Sequence, residues 1–171
     1  WKKLSHLSKK FNIKLINNNC HAIGAKYENK ETYASKYADI VVHSYHAVKN
    51  ITTGEGGSIL TNDKKIYDKI KILRSHGVLK SKNKKKPWNY DMKFLGYNYR
   101  ITDIQCSLGI SQLKKLNKFV KKRNEIAKIY RKNFDSVRFI KTQFVKKNNY
   151  HAYHLFPLLI DFNKIGTEKW K

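Results

Sequence analysis

The stretch "ADIVVHSY" (38–45) places three β-branched residues in a row between polar neighbours. It is too short for a helix with a buried stripe, so it reads as a sheet strand. Two further segments share this reading. "IKLIN" (13–17) follows Trp1, Leu4, Leu7 (or Ser8) and Phe11 at helical spacing, and "GSILTN" (57–62) lies between turn glycines and Asn62-Asp63. A helix that feeds a short strand is the unit of an α/β sheet, and that is the fold class the pattern demands.

From Asp63, the residues Ile66, Tyr67, Ile70 and Leu73 predict a helix ending near "SHG", where Gly77 can take the positive φ of a helix stop. "TDIQ" (102–105) predicts a capping box, with Thr102 accepting from the Gln105 amide. A long helical region should start there, with Ile104, Leu108, Leu116, Val120, Ala127, Tyr130 and Phe134 on one side and a break near Gly109 or Asn117. "YHLFPLLIDF" (153–162) predicts a strand, Pro157 marking an edge or a bulge. There is no internal repeat and no low-complexity linker. A change of domain is expected within or after the long helix.

Composition narrows the class further. The chain has 171 residues, 40% of them apolar and 13% aromatic, enough for one ordinary core and too apolar for disorder. No run of about 18 uncharged apolar residues occurs, and "WKKLSHLSKKFNIKL" has no leader-like character. A soluble, cytoplasmic protein without a membrane partner is the expectation. Starting at Trp1 and ending at "GTEKWK", it reads as a fragment. Cys20 and Cys106 sit in dissimilar contexts without C-x-x-C spacing, which argues for two free thiols and against a disulfide framework or a zinc site.

A balance of 37 basic to 12 acidic residues suggests nucleic acid, since each neutralised phosphate releases counterions. Yet the lysines are spread along the chain among many Asn, Ile and Tyr, as biased codon usage produces. The densest run, "LKSKNKKKPWNYD" (79–91), reads as a solvated loop. A basic nucleic-acid-binding module is kept as an alternative.

Lys49 is the residue with the most chemical promise. It follows the carboxyl end of "ADIVVHSY", where open α/β sheets place ligand-binding groups. A lysine held against an apolar strand end can act as an amine nucleophile and form a Schiff base. Ser44, Thr52 and Thr53 offer hydroxyls, and "GEGG" (54–57) offers backbone amides to an anion. From these residues alone, an ordinary lysine in a surface turn stays open. His151 and His154 have H-x-x-H spacing with no third ligand, and read as strand and edge residues rather than a metal site.

"HSYHAVKNITTGEGGSILTND" closely resembles the lysine segment of the DegT/DnrJ/EryC1/StrS family, the pyridoxal-phosphate-dependent sugar aminotransferases. "NNNCHAIGAKY" (17–27) resembles that family's cofactor-ring segment, "LRSHG" (73–77) its next helix end, and "LGYNYRITDIQCSLGISQLKKL" (95–116) its most recognisable stretch. The four segments run in order over about residues 10 to 160. With "PWNYDM" and "AYHLFPLLID", the likeness is greatest to the UDP-4-amino-sugar aminotransferases of pseudaminic acid biosynthesis.

The resemblance implies a type I aminotransferase fold, aspartate-aminotransferase-like. Residues 1–115 would be the C-terminal part of the cofactor-binding large domain, and 116–171 the linking helix and an incomplete small domain. It implies pyridoxal 5′-phosphate as cofactor, a homodimer with a shared active site, and transfer of an amino group from glutamate to a 4-keto, UDP-linked nucleotide sugar. Lys49 would be the Schiff-base lysine and proton carrier, Ser44 would bind the phosphate, and His21 would lie by the cofactor ring. Asn98 would reach the phosphate of the partner subunit's site. Arg100 would bind anionic substrate groups, a structural place beside the helix cap being equally open.

One residue departs from the family pattern. Asn18 stands where the family carries an aspartate that pairs with the pyridine nitrogen. A neutral amide cannot keep that nitrogen protonated, and the lost charge-assisted bond is worth about 1.5 to 3 kcal/mol. The family's segment before Trp1, with its phosphate-holding turn, also has no counterpart. The 171 residues alone are therefore expected to show little activity, and a weakened homologue that still binds cofactor or sugar is the second reading.

Overall fold

The computed structural model describes residues 1–31, 33–80 and 88–165. Its organising element is a three-stranded sheet of β1 (Ile16–Asn18), β2 (Ile40–Ser44) and β3 (Gly57–Leu60) in that order, β1 parallel and β3 antiparallel to β2. β2 and β3 lie within the stretches that strand patterning marks, whereas β1 starts three residues late in its expected stretch and runs one residue beyond it, to Asn18. Asp39 joins two of them at the base: its carboxylate accepts from the Leu15 amide and from Lys14. The Leu15 bond, before the lysine, holds the Asp39 carboxyl below the usual carboxylate range.

The register sorts the sheet's two faces. Asn18 pairs with Val42, so Asn18, Val42 and Ser44 share one face, while Asn17, Val41 and His43 share the other. The second face carries the core. Val41, 1% exposed, packs with Tyr33 and Ala34 of the short helix α2 (Tyr33–Tyr37), and Trp1, Tyr27 and Tyr37 close around them. Helix α1 (Lys2–Lys10) lies against α2.

Helix α3 (Lys64–Leu73) starts where expected, and Asp63 caps it, the carboxylate accepting from the amides of Lys65 and Ile66. It runs into a turn in which His76 (φ 62°) and Gly77 (φ 69°) are both left-handed. A Cβ on Gly77 would sit 1.7 Å from the Phe94 carbonyl oxygen, so only glycine fits. The chain continues into a hairpin that patterning does not reveal, β4 (Val78–Lys80) against β5 (Tyr90–Met92). Most of the lysine-rich run lies outside the described residues.

The capping box at Thr102 is present in both directions and opens α4 (Asp103–Leu113). The helix breaks at Lys114–Lys115, between the two expected positions, and α5 (Leu116–Phe134) follows. The expected common face holds only in part. Val120 and Ala127 are buried, whereas Ile104 is 85% exposed. At the C-terminal end, β6 (Ile140–Thr142) pairs antiparallel with β7 (Leu158–Ile160). The strand expected over 153–162 forms only beyond Pro157, whose ring removes a ladder donor.

Candidate functional site

The chain between β2 and β3 forms a closed loop over residues 45–56. The Tyr45 amide donates to the Gly56 carbonyl at 2.8 Å, and the Tyr45 carbonyl accepts from the Thr53 amide at 2.9 Å and the Thr52 hydroxyl at 3.1 Å. The Gly54 amide is taken by Thr52 Oγ1 and the Thr53 hydroxyl donates to the Glu55 carbonyl. These glycines therefore serve closure of the loop and close packing more than anion contact. Gly57 lies so close to β2 that a Cβ would come 2.7 Å from the His43 carbonyl oxygen. Helix α4 braces the loop from outside, Gln105 Nε2 donating to the Glu55 carbonyl and Gly109 resting on Thr53.

Lys49 stands near the tip of this loop, in a turn where its amide donates to the His46 carbonyl at 2.9 Å. The side chain is half-buried, and among the described residues its amine has no hydrogen bond or ion pair. Most described lysines also lack an ion pair, but they are exposed, and Lys49 differs from them in being half-buried. Ser44 ends β2 on the same sheet face as Asn18. Its oxygen accepts only a long contact, 3.4 Å, from the His46 amide, which leaves the hydroxyl proton free. Asn18 is exposed and its Oδ1 accepts from the Cys20 amide at 3.3 Å.

A third wall comes from the far end of the chain. Residues 151–154 form no regular structure, so their carbonyls need partners from elsewhere. Side chains supply all four. Asn124 Nδ2 donates to His151 O at 2.9 Å, Asn50 Nδ2 to Ala152 O at 3.4 Å, and Arg123 to Tyr153 O and His154 O at 3.0 and 3.3 Å. Asn50 also donates to the Ile23 carbonyl at 3.1 Å. The residue beside Lys49 thus ties together the lysine loop, the 19–25 loop and the 151–154 segment.

His154 lies on the ring of His21, centroids 4.3 Å apart. Burial first, then the charges of His21, Lys49 and Arg123, hold its imidazole below the usual histidine range. Its reading as an edge residue is thereby corrected: it stands with His21 and within reach of the Lys49 charge. Asn50, Arg123 and Asn124, and the place of His154 beside His21, escaped the sequence reading because no local pattern links residues so far apart along the chain.

Asn98 and Arg100 are not brought into this group. Main-chain bonds from Tyr97 to Leu73 and from Tyr99 to Arg74 pin their segment to the end of α3. Both side chains are exposed and, among the described residues, without hydrogen bonds or ion pairs. They sit in an apolar strip with Leu95 (81% exposed) and the stacked rings of Tyr97 and Tyr99. No group of three or more metal-ligating side chains occurs among the described residues, and no described helix is long and apolar enough to cross a membrane.

The architecture of a lysine loop between β2 and β3, braced by a capped helix, is matched along nearly the whole chain by one family. The DegT/DnrJ/EryC1/StrS aminotransferase profile fits residues 1–169. The chain belongs to this family. Among curated family members, the UDP-4-amino-4,6-dideoxy-N-acetyl-β-L-altrosamine transaminase of Campylobacter jejuni is 44% identical over 158 residues, which cover 92% of this chain and 40% of that protein. Among solved structures, Helicobacter pylori PseC, an aminotransferase of pseudaminic acid biosynthesis, superimposes with a TM-score of 0.85 at 34% identity, over 96% of this chain and 43% of that one. The family fold also carries other chemistry: an Escherichia coli GDP-4-keto-6-deoxy-D-mannose-3-dehydratase with bound hydrated PLP matches with a TM-score of 0.80 at 25% identity, over 94% of this chain and 43% of that one. The chain spans about two fifths of the length of these curated relatives and solved structures.

Proposed function

We propose that this chain is the lysine-bearing portion of a pyridoxal-phosphate-dependent aminotransferase that converts a 4-keto nucleotide sugar to a 4-amino sugar with glutamate as donor. The observation that carries this reading is Lys49: a half-buried amine without a partner among the described residues, at the tip of a rigid loop. The residues present suit the cofactor. Ser44 has a free hydroxyl proton for a phosphate oxygen, and an unpartnered amine is what covalent attachment of an aldehyde requires. When bound, the cofactor supplies an electron sink for the carbanion left when a proton departs.

Within that scheme Lys49 attaches the cofactor and, when displaced, carries a proton to and from the substrate carbon. Ser44 fixes the phosphate end, and His21 borders the ring. Asn98 and Arg100 are exposed, in a strip with the outward Leu95, Tyr97 and Tyr99 that suits a second copy of the chain. In the homodimer Asn98 reaches the partner's phosphate and Arg100 holds an anionic substrate group. The division at residue 115, at the break between α4 and α5, separates the cofactor-binding part from the linking helix and small domain.

A second reading rests on Asn18. Its amide lies on the Ser44 face of the sheet with Oδ1 engaged by the Cys20 amide, and it offers no negative charge to a ring nitrogen. A homologue that binds the cofactor and turns over slowly is the outcome this residue favours.

Borohydride reduction of the chain joined to the N-terminal part that its relatives carry and mixed with pyridoxal phosphate, followed by peptide mass analysis, tests attachment at Lys49. Absence of an adduct there defeats both readings. An adduct with no amino transfer from glutamate to a UDP-linked 4-keto sugar, restored by Asn18→Asp, selects the second. Salt-sensitive binding of DNA or RNA would revive the nucleic-acid alternative.

A further inference from the structure

His154 carries chemistry that neither the lysine loop nor the sheet face supplies. It sits in a segment whose four consecutive carbonyls are gripped by side chains from α5 and the lysine loop. The preceding residue, Tyr153, is left-handed at φ 45°, a conformation an L-residue adopts only when its surroundings impose it. Its amide is directed onto His151 Nδ1 at 3.1 Å. So much fixing of an irregular segment has one evident product, the placement of the His154 ring against His21 at 4.3 Å and 46°.

The ring's two nitrogens are not equivalent. Among the described residues Nδ1 is fully buried without a hydrogen-bond partner, whereas Nε2 is neither fully buried nor bonded. Charging the ring puts a proton on that buried Nδ1 with no acceptor, so the uncharged ring is the favoured state. The charged groups facing the ring are all cationic or able to become so: His21 from the 19–25 loop, Lys49 from the lysine loop and Arg123 from α5.

We propose that His154 is a positioning residue of the Lys49 site, an uncharged ring braced from α5 that clamps the exposed ring of His21 in one orientation beside the lysine. This rests on the reading of Lys49 as the cofactor lysine. The clamp joins the C-terminal segment to the site. It also limits the site at acid pH, because protonation of His154 sets a further positive charge among Lys49, Arg123 and His21 and leaves Nδ1–H unpaired.

Two measurements on the full chain test it. In the unloaded protein with carbon-13-labelled histidines, cross-relaxation is expected between the ring protons of His21 and His154, and His154→Ala should return the His21 signals toward those of a free imidazole. Lack of that cross-relaxation overturns the clamp, whatever happens with cofactor. In the second, borohydride-fixed attachment of pyridoxal phosphate is followed against pH. His154→Ala should weaken attachment about tenfold, while His154→Phe, which keeps a flat ring and cannot be charged, should stay within about threefold of the parent. His154→Phe should also lessen the decline in attachment as the pH falls through the histidine range. Identical pH profiles for parent and His154→Phe overturn the proposal. If the parent forms no adduct, the proposed function fails, and the histidine cross-relaxation alone decides the clamp. If His154→Ala does not fold, the phenylalanine variant and the parent's cross-relaxation still decide between clamp and no clamp.

Discussion

The lysine loop (45–56) and the strip from Leu95 to Arg100 make opposite use of their polar groups. In the loop Asn50, Ile51 and Thr53 are all buried, and the main chain is closed by Tyr45, Thr52 and Thr53. In the strip the main chain is pinned just as firmly, by Leu73, Arg74 and His76, yet Leu95, Tyr97, Asn98, Tyr99 and Arg100 all face outward. Backbone order is the same; side-chain completion is not. The loop covers Asn50, Ile51 and Thr53 within one chain, leaving Val48 exposed at its tip. The strip is a pinned surface that the described residues leave uncovered.

The sharpest break in this contrast is Lys49→Ala. It should abolish borohydride-fixed attachment of pyridoxal phosphate while leaving the thermal midpoint of the protein nearly unchanged, since the amine bonds to nothing among the described residues. A large fall in the midpoint would show that Lys49 is structural after all. Next in size is Asn50→Ala, which removes the donor shared by Ile23 O and Ala152 O. Denaturant unfolding should show a loss of about 1 to 3 kcal/mol, the cost of leaving buried acceptors unpaired. The strip should behave differently. Leu95→Ser and Tyr99→Ser should each change unfolding free energy by less than about 0.5 kcal/mol, as exposed substitutions do, while lowering self-association in sedimentation.

Acidification separates the two regions again, with a smaller effect. Burial holds His43 and His151 below the usual histidine value, Arg131 adding to the effect at His151, and His154 is lowered likewise. Each binds a proton more readily when unfolded, so stability is complete above about pH 6.5 and declines as the pH falls through the lowered folded values. Thermal midpoints should drop over that window. His43→Gln should narrow the drop, whereas changes in the strip should leave it untouched.

What could be read from the chain follows the range of the interactions. The Thr102–Gln105 box was legible because a cap and the amides it serves lie within one turn, and the start of α3 at Asp63 because its apolar residues recur at helical spacing. The words around Lys49, His21 and Asn98 were legible as a family pattern, which the profile fit bears out at the level of the family. The α4–α5 break was not located, because Lys114 and Lys115 are ordinary helix formers and carry no stop signal. The β4–β5 hairpin was hidden by the run between its strands. The 151–154 wall was invisible for a different reason: its shape comes from Asn50, Arg123 and Asn124, donors remote in sequence that grip main-chain oxygens.

That manner of gripping has a consequence for how such a site can diversify. Arg123, Asn124 and Asn50 recognise carbonyls, which every residue type possesses, so their grip on the segment does not depend on which side chain stands at 154. The helix acts as a jig, and the side chain at 154 is an exchangeable part mounted on it. Replacing His154 alone could alter what the wall offers a ligand without redrawing the wall.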